Sequence, residues 1–287
     1  MKDFSYKALG TGWHITIWDN IPDNDFEHIK NKIIEMTNEF DQTYSRFIET
    51  SLVSEISKSK GGYSVPSDFM SMLKMYMDLY YLTDKKLNPL IGFTISDLGY
   101  DSKYSLTPKE NIRKTPDLFE TVKIINENEI ETTEQVLFDF GALGKGYMVD
   151  KITNYLKTFN LKRFLVNGSG DIYYFGEDKI QVGLEDPEDT SKVIGAIDMT
   201  TGAMCASGTN RRKWRDFHHV IDPDTSLSTT GIASTWVISD STALSDALAS
   251  CLFFVAPEKL TKFKFEYCIM NDERKIKNSS GFNAEFF

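Results

Sequence analysis

The chain has 287 residues, 41% of them apolar, and a formal net charge of −10. That length suits one large domain or two intimate ones, and the composition supports a sizeable core rather than disorder. The acidic balance excludes general attraction to nucleic acid or to an anionic membrane, so an anionic ligand needs a local cluster of Lys, Arg, backbone N–H groups or metal. Cys205, Cys251 and Cys268 are scattered, odd in number and without zinc spacing, which reads as reduced, buried thiols. No run nears the ~18 apolar residues of a spanning helix. The opening Met1–Gly10 lacks the basic-then-apolar pattern of a secretory leader, so cytoplasmic residence is the expectation.

In chain order, residues 13–18 alternate as a strand does, and Pro22-Asp23-Asn24-Asp25 supplies turn and helix-start chemistry. Ile29, Ile33, Met36 and Phe40 then recur at helical spacing. A second helix is predicted over residues 67–83, its Met and Tyr stripe reading as core packing. Residues 88–107 read as irregular, and 118–138 as short strands separated by Asn126-Glu-Asn128. A Gly-rich entry into a helix covers 141–159. Strands are predicted at 163–166, 171–175, 179–184, 194–199, 218–221 and 234–239. A small-residue helix follows over 243–254, and the finish is rich in strands. Because strands arrive in groups rather than alternating with helices, the pattern favours an α+β fold of mixed or antiparallel sheets. The expected organisation is one unit over residues 1–287, with room for two intimately packed subdomains.

Gly141-Ala-Leu-Gly144-Lys145-Gly146 invites a phosphate reading, because glycine lets backbone N–H groups approach an anion at a helix start. It is not a Walker A loop: Asp139 occupies the first glycine position and Gly146 replaces Ser/Thr. Gly168-Ser-Gly170 lacks the third glycine of a dinucleotide fingerprint. Asp246 and Ser250 are four apart in a predicted helix and share a face, as two oxygen ligands of a hard cation must; an exposed Asp and a packing Ser would look the same. His218 and His219, adjacent on a strand, would point to opposite faces and cannot serve one site. Arg211-Arg212-Lys213 is the compact cationic cluster of an acidic chain and fits phosphate pairing as well as a solvated face.

The order of these segments resembles that of the ApbE family of flavin-trafficking FAD:protein FMN transferases over nearly the whole chain. Gly10-Thr11-Gly12 matches its opening Gly-Thr strand, and Ser45-Arg46-Phe47 through Ser54-Glu55-Ile56 its S-x-[FY]…S-E-I segment. Leu87-Asn88-Pro89 stands at its aspartate-proline segment. Asp139, Gly141, Gly144, Lys145, Gly146, Tyr147 and Asp150 meet the D-x-G-x-x-[AG]-K-G-Y-x-x-D signature. Asn167–Ile172, Ala206–Arg212, His219-Val-Ile-Asp222-Pro223 and Ser245–Ser250 follow in the family's order. Departures are Asn88 for the usual Asp, Ser169 and Ser226 each for a Gly, and Asn210 for a frequent Tyr.

The resemblance implies an ApbE-like fold and Mg²⁺ held by Asp246, Ser250 and the Gly144 carbonyl. It implies FAD bound among Gly10, Thr11, Leu87, Asn88, Gly141, Tyr147, Asp150, Ser207 and Arg212, with Phe47 over the isoalloxazine ring. Lys145 and Arg212 would neutralise pyrophosphate charge; His219, as an imidazole near its unperturbed pKa that accepts a proton at neutral pH, would act as base, and Asp222 would orient it. The implied activity is transfer of FMN to a Thr or Ser hydroxyl of an acceptor flavoprotein, with release of AMP. An FAD pyrophosphatase and a non-catalytic FAD carrier are the alternatives.

Overall fold

A computed structural model describes residues 1–287. Its frame is an eight-stranded antiparallel sheet whose strands lie side by side in the order in which the chain visits them. They are Lys2–Ala8, Thr11–Ile17, Phe164–Asn167, Asp171–Phe175, Gly202–Gly208, Ile232–Ser239, Glu266–Asn271 and Ile276–Asn278. Apart from the C-terminal strand Ala284–Phe286, every other element is inserted between neighbouring strands, so the fold is α+β.

Alternation along the strands builds a core on each face. Trp13, Ile15, Ile17, Tyr173, Ala203 and Val237 face the helical layer and join a cluster of 45 buried residues. Ile172, Met204, Trp236, Cys268 and Met270 face the other way, into a second core. That core is covered by a three-stranded sheet of Ile180–Glu185, Val193–Met199 and Ala284–Phe286. All three cysteines are free and buried, and no helix is long and apolar enough to cross a membrane.

The helical layer is made of Asp23–Tyr44, Ser67–Tyr80, Gly144–Lys157 and Thr242–Cys251. Gly146 fixes how the last two meet. A Cβ there would lie 2.4 Å from the Thr242 carbonyl oxygen and 2.8 Å from Asp246 Cβ, so only hydrogen lets the helices approach this closely. One turn on, Asp150 accepts hydrogen bonds from the backbone N–H of Thr242 and Ala243 (both 2.9 Å) and from Ser241 Oγ (2.8 Å). It thereby satisfies N–H groups that a helix start leaves without partners.

Several elements differ from the sequence expectation. Residues 88–107 hold a 3₁₀ turn at Pro89–Ile91 and a short helix at Gly92–Asp97. Asn88 caps the turn by accepting from Leu90 N–H, and proline pre-sets its first residue. The first residues of 118–138 form a helical turn, Leu118–Thr121, capped by Asp117, before the hairpin of Val122–Asn126 and Glu129–Thr132. The expected strand at 218–221 is two pieces, Phe217–His218 and Ile221–Asp222. The central strand Gly202–Gly208 went unread because its small residues give little hydrophobic alternation.

Gly146→Ala should destabilise the chain by about 1–3 kcal/mol, the usual cost of overpacking, and urea titration of the two proteins measures it. An unchanged midpoint would mean that the helices tolerate the added methyl.

Candidate active site

Where the helical layer meets the middle of the large sheet, a cavity of about 510 Å³ opens. Its lining includes the cations Arg46, Lys86, Lys145, Arg211, Arg212 and Lys213 against the carboxylates Asp139 and Asp246. Four of the six are ion-paired, Arg46 with Asp139, Lys86 with Asp222, Lys145 with Asp171 and Arg211 with Glu185, which leaves Arg212 and Lys213 as the charges open to an anion in a chain of net charge −10.

The floor comes from the two closely packed helices. Asp246, buried, accepts from the Gly146 N–H at 3.0 Å. Ser250, one turn on, donates to the Ala142 carbonyl at 3.3 Å. Lys145 is ion-paired with Asp171, which is fully buried and has a second oxygen without any partner. Burial and the nearby Asp171 push the Asp246 pKa up. Burial works against the Lys145 charge, but Asp171 and Asp246 outweigh it and raise its pKa.

His219 stands in the wall with its Nδ1 buried and unpartnered. Burial first, then Arg212, His218 and Lys145, depress its pKa to about 3, so its imidazole is neutral at ordinary pH. His218 turns the other way: its Nε2 lies 2.8 Å from the Thr229 carbonyl and its Nδ1 accepts from Val220 N–H. The two histidines separate as expected, although they do so across the end of a two-residue strand. Arg212 lines the same wall and has no carboxylate within ion-pair distance.

At the mouth, residues 98–117 run without helix or strand and are tied down by Asp97. Burial of that carboxylate is outweighed by Arg113 and Lys109, which lower its pKa to about 2. Tyr104 (φ 50°) and Leu106 (φ 51°) take the left-handed backbone that bulky residues rarely adopt, strain of the kind that collects at functional sites. Tyr100, Tyr104 and Leu106 line the cavity, and Tyr100 stacks on Trp214 (5.3 Å, 18°).

Gly10, Thr11, Leu87, Asn88, Gly141, Ser207, Arg212, Lys145, His219, Asp246 and Ser250 all come together on this cavity. Gly10 and Thr11 reach it from a two-residue hairpin turn in which Leu9 and Gly10 both have positive φ, the geometry that matches strand twist. Five expected residues do not line it. Phe47 stacks behind Tyr104 (5.3 Å, 9°), with the Arg46 guanidinium 4.2 Å from its ring centre, so the exposed aromatic face belongs to the tyrosines. Tyr147 donates to Asp68 (3.0 Å) on the far side of its helix. Asp150 caps the neighbouring helix. Asp222 pairs with Lys86 (2.7 Å) rather than with His219. Gly144 is buried in the helix, and the carbonyl beside Ser250 is that of Ala142.

Sequence reasoning assigned no role to Arg46, Asp171, Tyr100 or Tyr104. Arg46 is buried, binds Asp139 at 2.6 Å and donates to the Tyr100 carbonyl, so it ties the mouth to the signature loop. Arg46 and Asp171 stood inside matched segments; the tyrosines lie in an irregular stretch with no periodic signal.

Residues 9–266 match the model of the ApbE family. Among curated proteins, the FAD:protein FMN transferase of Klebsiella pneumoniae is 30% identical over 42% of this chain and 40% of its own length. That of Rhodobacter capsulatus is 25% identical over 68% and 40%, and that of Haemophilus influenzae 22% identical over 89% and 81%. The match thus spans about two fifths of the first two relatives. In fold, the chain is similar to the crystal structure of the ApbE protein of Thermotoga maritima (TM-score 0.85, 22% identity, 98% of this chain and 97% of that one). It is likewise similar to the flavin transferase ApbE of Vibrio cholerae (TM-score 0.79, 17% identity, 98% and 97%). With its signature loop, its Asp246–Ser250 helix and its His219 wall on one cavity, and with the family model covering nearly all of it, this chain belongs to the ApbE family.

Proposed function

We propose that the chain binds FAD in this cavity and transfers its FMN half to a Thr or Ser hydroxyl of an acceptor protein, releasing AMP. The observation that carries the reading is the convergence of Lys145, unpaired Arg212 and neutral His219 on the Asp246–Ser250 floor of one cavity. The relatives' shared name, FAD:protein FMN transferase, supports it.

The floor fits Mg²⁺. Asp246 offers a carboxylate, Ser250 a hydroxyl and Ala142 a carbonyl, and Asp246 sits near a second buried carboxylate, so a cation relieves their repulsion. No group of three His, Cys, Asp or Glu side chains is present. Such a sparse oxygen set suits an ion that keeps water and ligand phosphates in its shell. When bound, Mg²⁺ supplies Lewis-acid polarisation of phosphate oxygens.

The chain's own groups do the rest. Lys145 and Arg212 hold the pyrophosphate and offset the charge that grows on the leaving AMP. Tyr100 and Tyr104 offer flat faces to a flavin or adenine ring. The acceptor hydroxyl oxygen forms a bond to the FMN-side phosphorus, the P–O bond to AMP breaks, and the hydroxyl proton passes to His219. A neutral imidazole can accept it. Burial is the largest cause of its low pKa and persists in the complex; an anion beside Arg212 and Lys145 offsets only the part that those charges contribute.

Three outcomes are expected. Asp246→Ala should lose Mg²⁺-dependent AMP release from FAD, measured by chromatography; retained EDTA-sensitive release would remove Asp246 from the ion's ligands. His219→Ala should slow flavin transfer by roughly 10²–10⁴-fold with FAD affinity nearly intact, and near-normal turnover would end its role as base. The same histidine makes the fold acid-sensitive. Unfolded, it binds a proton near pH 6.5; folded, only near pH 3, so protons favour unfolding across that window. Taking the chain from pH 7 to pH 3 should therefore remove on the order of 4 kcal/mol through His219 alone. Denaturant titrations of His219→Gln should show a correspondingly smaller loss, and an equal loss would contradict a buried neutral imidazole.

A further inference from the structure

A second cavity, of about 490 Å³, adjoins the first and shares Ser169, Ala206, Ser207, Gly208 and Arg211 with it. Its floor is a face of the large sheet: Leu165 and Asn167, Met204 and Ala206, Ser234 and Trp236 are alternate residues on three strands. Its side is different in kind. Ile180, Gln181, Val182, Gly183 and Glu185 all line it, although successive side chains of a strand point to opposite faces. A cavity touching consecutive residues runs along a strand's backbone edge.

That edge is free. Ile180–Glu185 is the outer strand of the three-stranded sheet and pairs only with Val193–Met199. Phe287 N–H donates to the Ile194 carbonyl, so the even-numbered residues of Val193–Met199 direct their backbone groups toward the C-terminal strand. Its odd-numbered residues Gly195, Ile197 and Met199 therefore face Ile180–Glu185. Their opposite numbers Leu184, Val182 and Ile180 complete that ladder. Gln181 and Gly183 are left with N–H and C=O directed into the second cavity.

Proteins usually blunt such an edge with Lys or Pro. The outer strands of the large sheet do so with Lys2, Lys7 and Lys277. Ile180–Glu185, with sequence Ile-Gln-Val-Gly-Leu-Glu, has neither residue. An open edge, a mixed floor in which Ile172, Met204 and Trp236 lie among Asn167 and Ser234, and continuity with the proposed site of phosphoryl transfer describe a seat for an extended peptide.

We propose that the acceptor protein presents its hydroxyl on an extended segment that adds as a strand to Gln181 and Gly183 and enters the first cavity past Ser207 and Arg211. This rests on the transfer reading above. It makes recognition depend on main-chain hydrogen bonds and on a linear segment rather than on a folded surface.

The test supplies FAD and Mg²⁺ to the full chain with a library of randomised dodecapeptides carrying a central threonine, and reads covalent flavin fluorescence. Flavinylated members are expected. For the best of them, Gln181→Pro, which removes a free-edge N–H but no ladder bond, should raise KM about tenfold, with kcat and FAD affinity unchanged. Gln181→Ala, which keeps the N–H, should behave as wild type. Should the proline variant fold poorly, peptides N-methylated one position at a time on the wild-type enzyme should lose acceptance at every second position. An unchanged KM, with N-methylation tolerated throughout, overturns the proposal. So does weakened FAD binding in Gln181→Pro, which assigns the groove to FAD. Flavinylation of folded proteins but of no peptide overturns the docking mode and leaves transfer intact, whereas release of AMP and free FMN with nothing flavinylated sinks both.

Discussion

The site depends on one steric constraint, the contact at Gly146 between the helices Gly144–Lys157 and Thr242–Cys251. Because no side chain separates them there, the Gly146 N–H reaches Asp246 and the Thr242 carbonyl lies where a Cβ would be. Three consequences follow from the same contact. Ala142 arrives beside Ser250, Lys145 is delivered into the cavity next to Asp171, and Asp150 comes within reach of the opening turn of the second helix. A larger residue would shift all three together, which is why one glycine matters more here than the flexible ones before it.

Around that contact the chain concentrates charge against its own average. Lys145 and Asp171 are buried together, Arg46 is buried against Asp139, and Arg212 is left without a carboxylate. A buried ion pair is a weak source of stability, since desolvation offsets most of the attraction. Its value here is positional: each pair holds a cation or a carboxylate at a fixed point of the cavity wall. Arg212, with no partner of its own, is the charge most available to an incoming phosphate.

Much of this was legible because it is local. Periodicity located the long helices, since Ile29, Ile33 and Phe40 are buried on one face. Ordered motifs located the loop, the Asp246–Ser250 helix and His219. Two kinds of relation lie beyond motif and period. Asp150 and Tyr147 belong to the signature, yet the side chain of one caps the neighbouring helix and that of the other bonds Asp68. A motif shows that a residue matters, not which way it points. Nor could spacing find pairs across long sequence distances: Arg46 meets Asp139 across 93 residues, and Phe47 meets Tyr104 only where the irregular 98–117 stretch folds back. The strand Gly202–Gly208, composed of small residues, carried no period to read.

That unread strand turns out to be the divide of the molecule. Ala206, Ser207 and Gly208 border both cavities, one set against the two packed helices and the other along a strand edge. Group transfer needs two partners brought into register, and most of the gain comes from holding the reacting atoms close in a suitable orientation. Small residues are what such a divide requires. Ala206, Ser207 and Gly208 keep that border low, and Arg211, bonded to Ser169 and Glu185, is the one large side chain that both cavities share. The sheet supplies rigidity, the helix contact supplies the charge, and the residues shared by the cavities set the two side by side, as the proposed transfer would require.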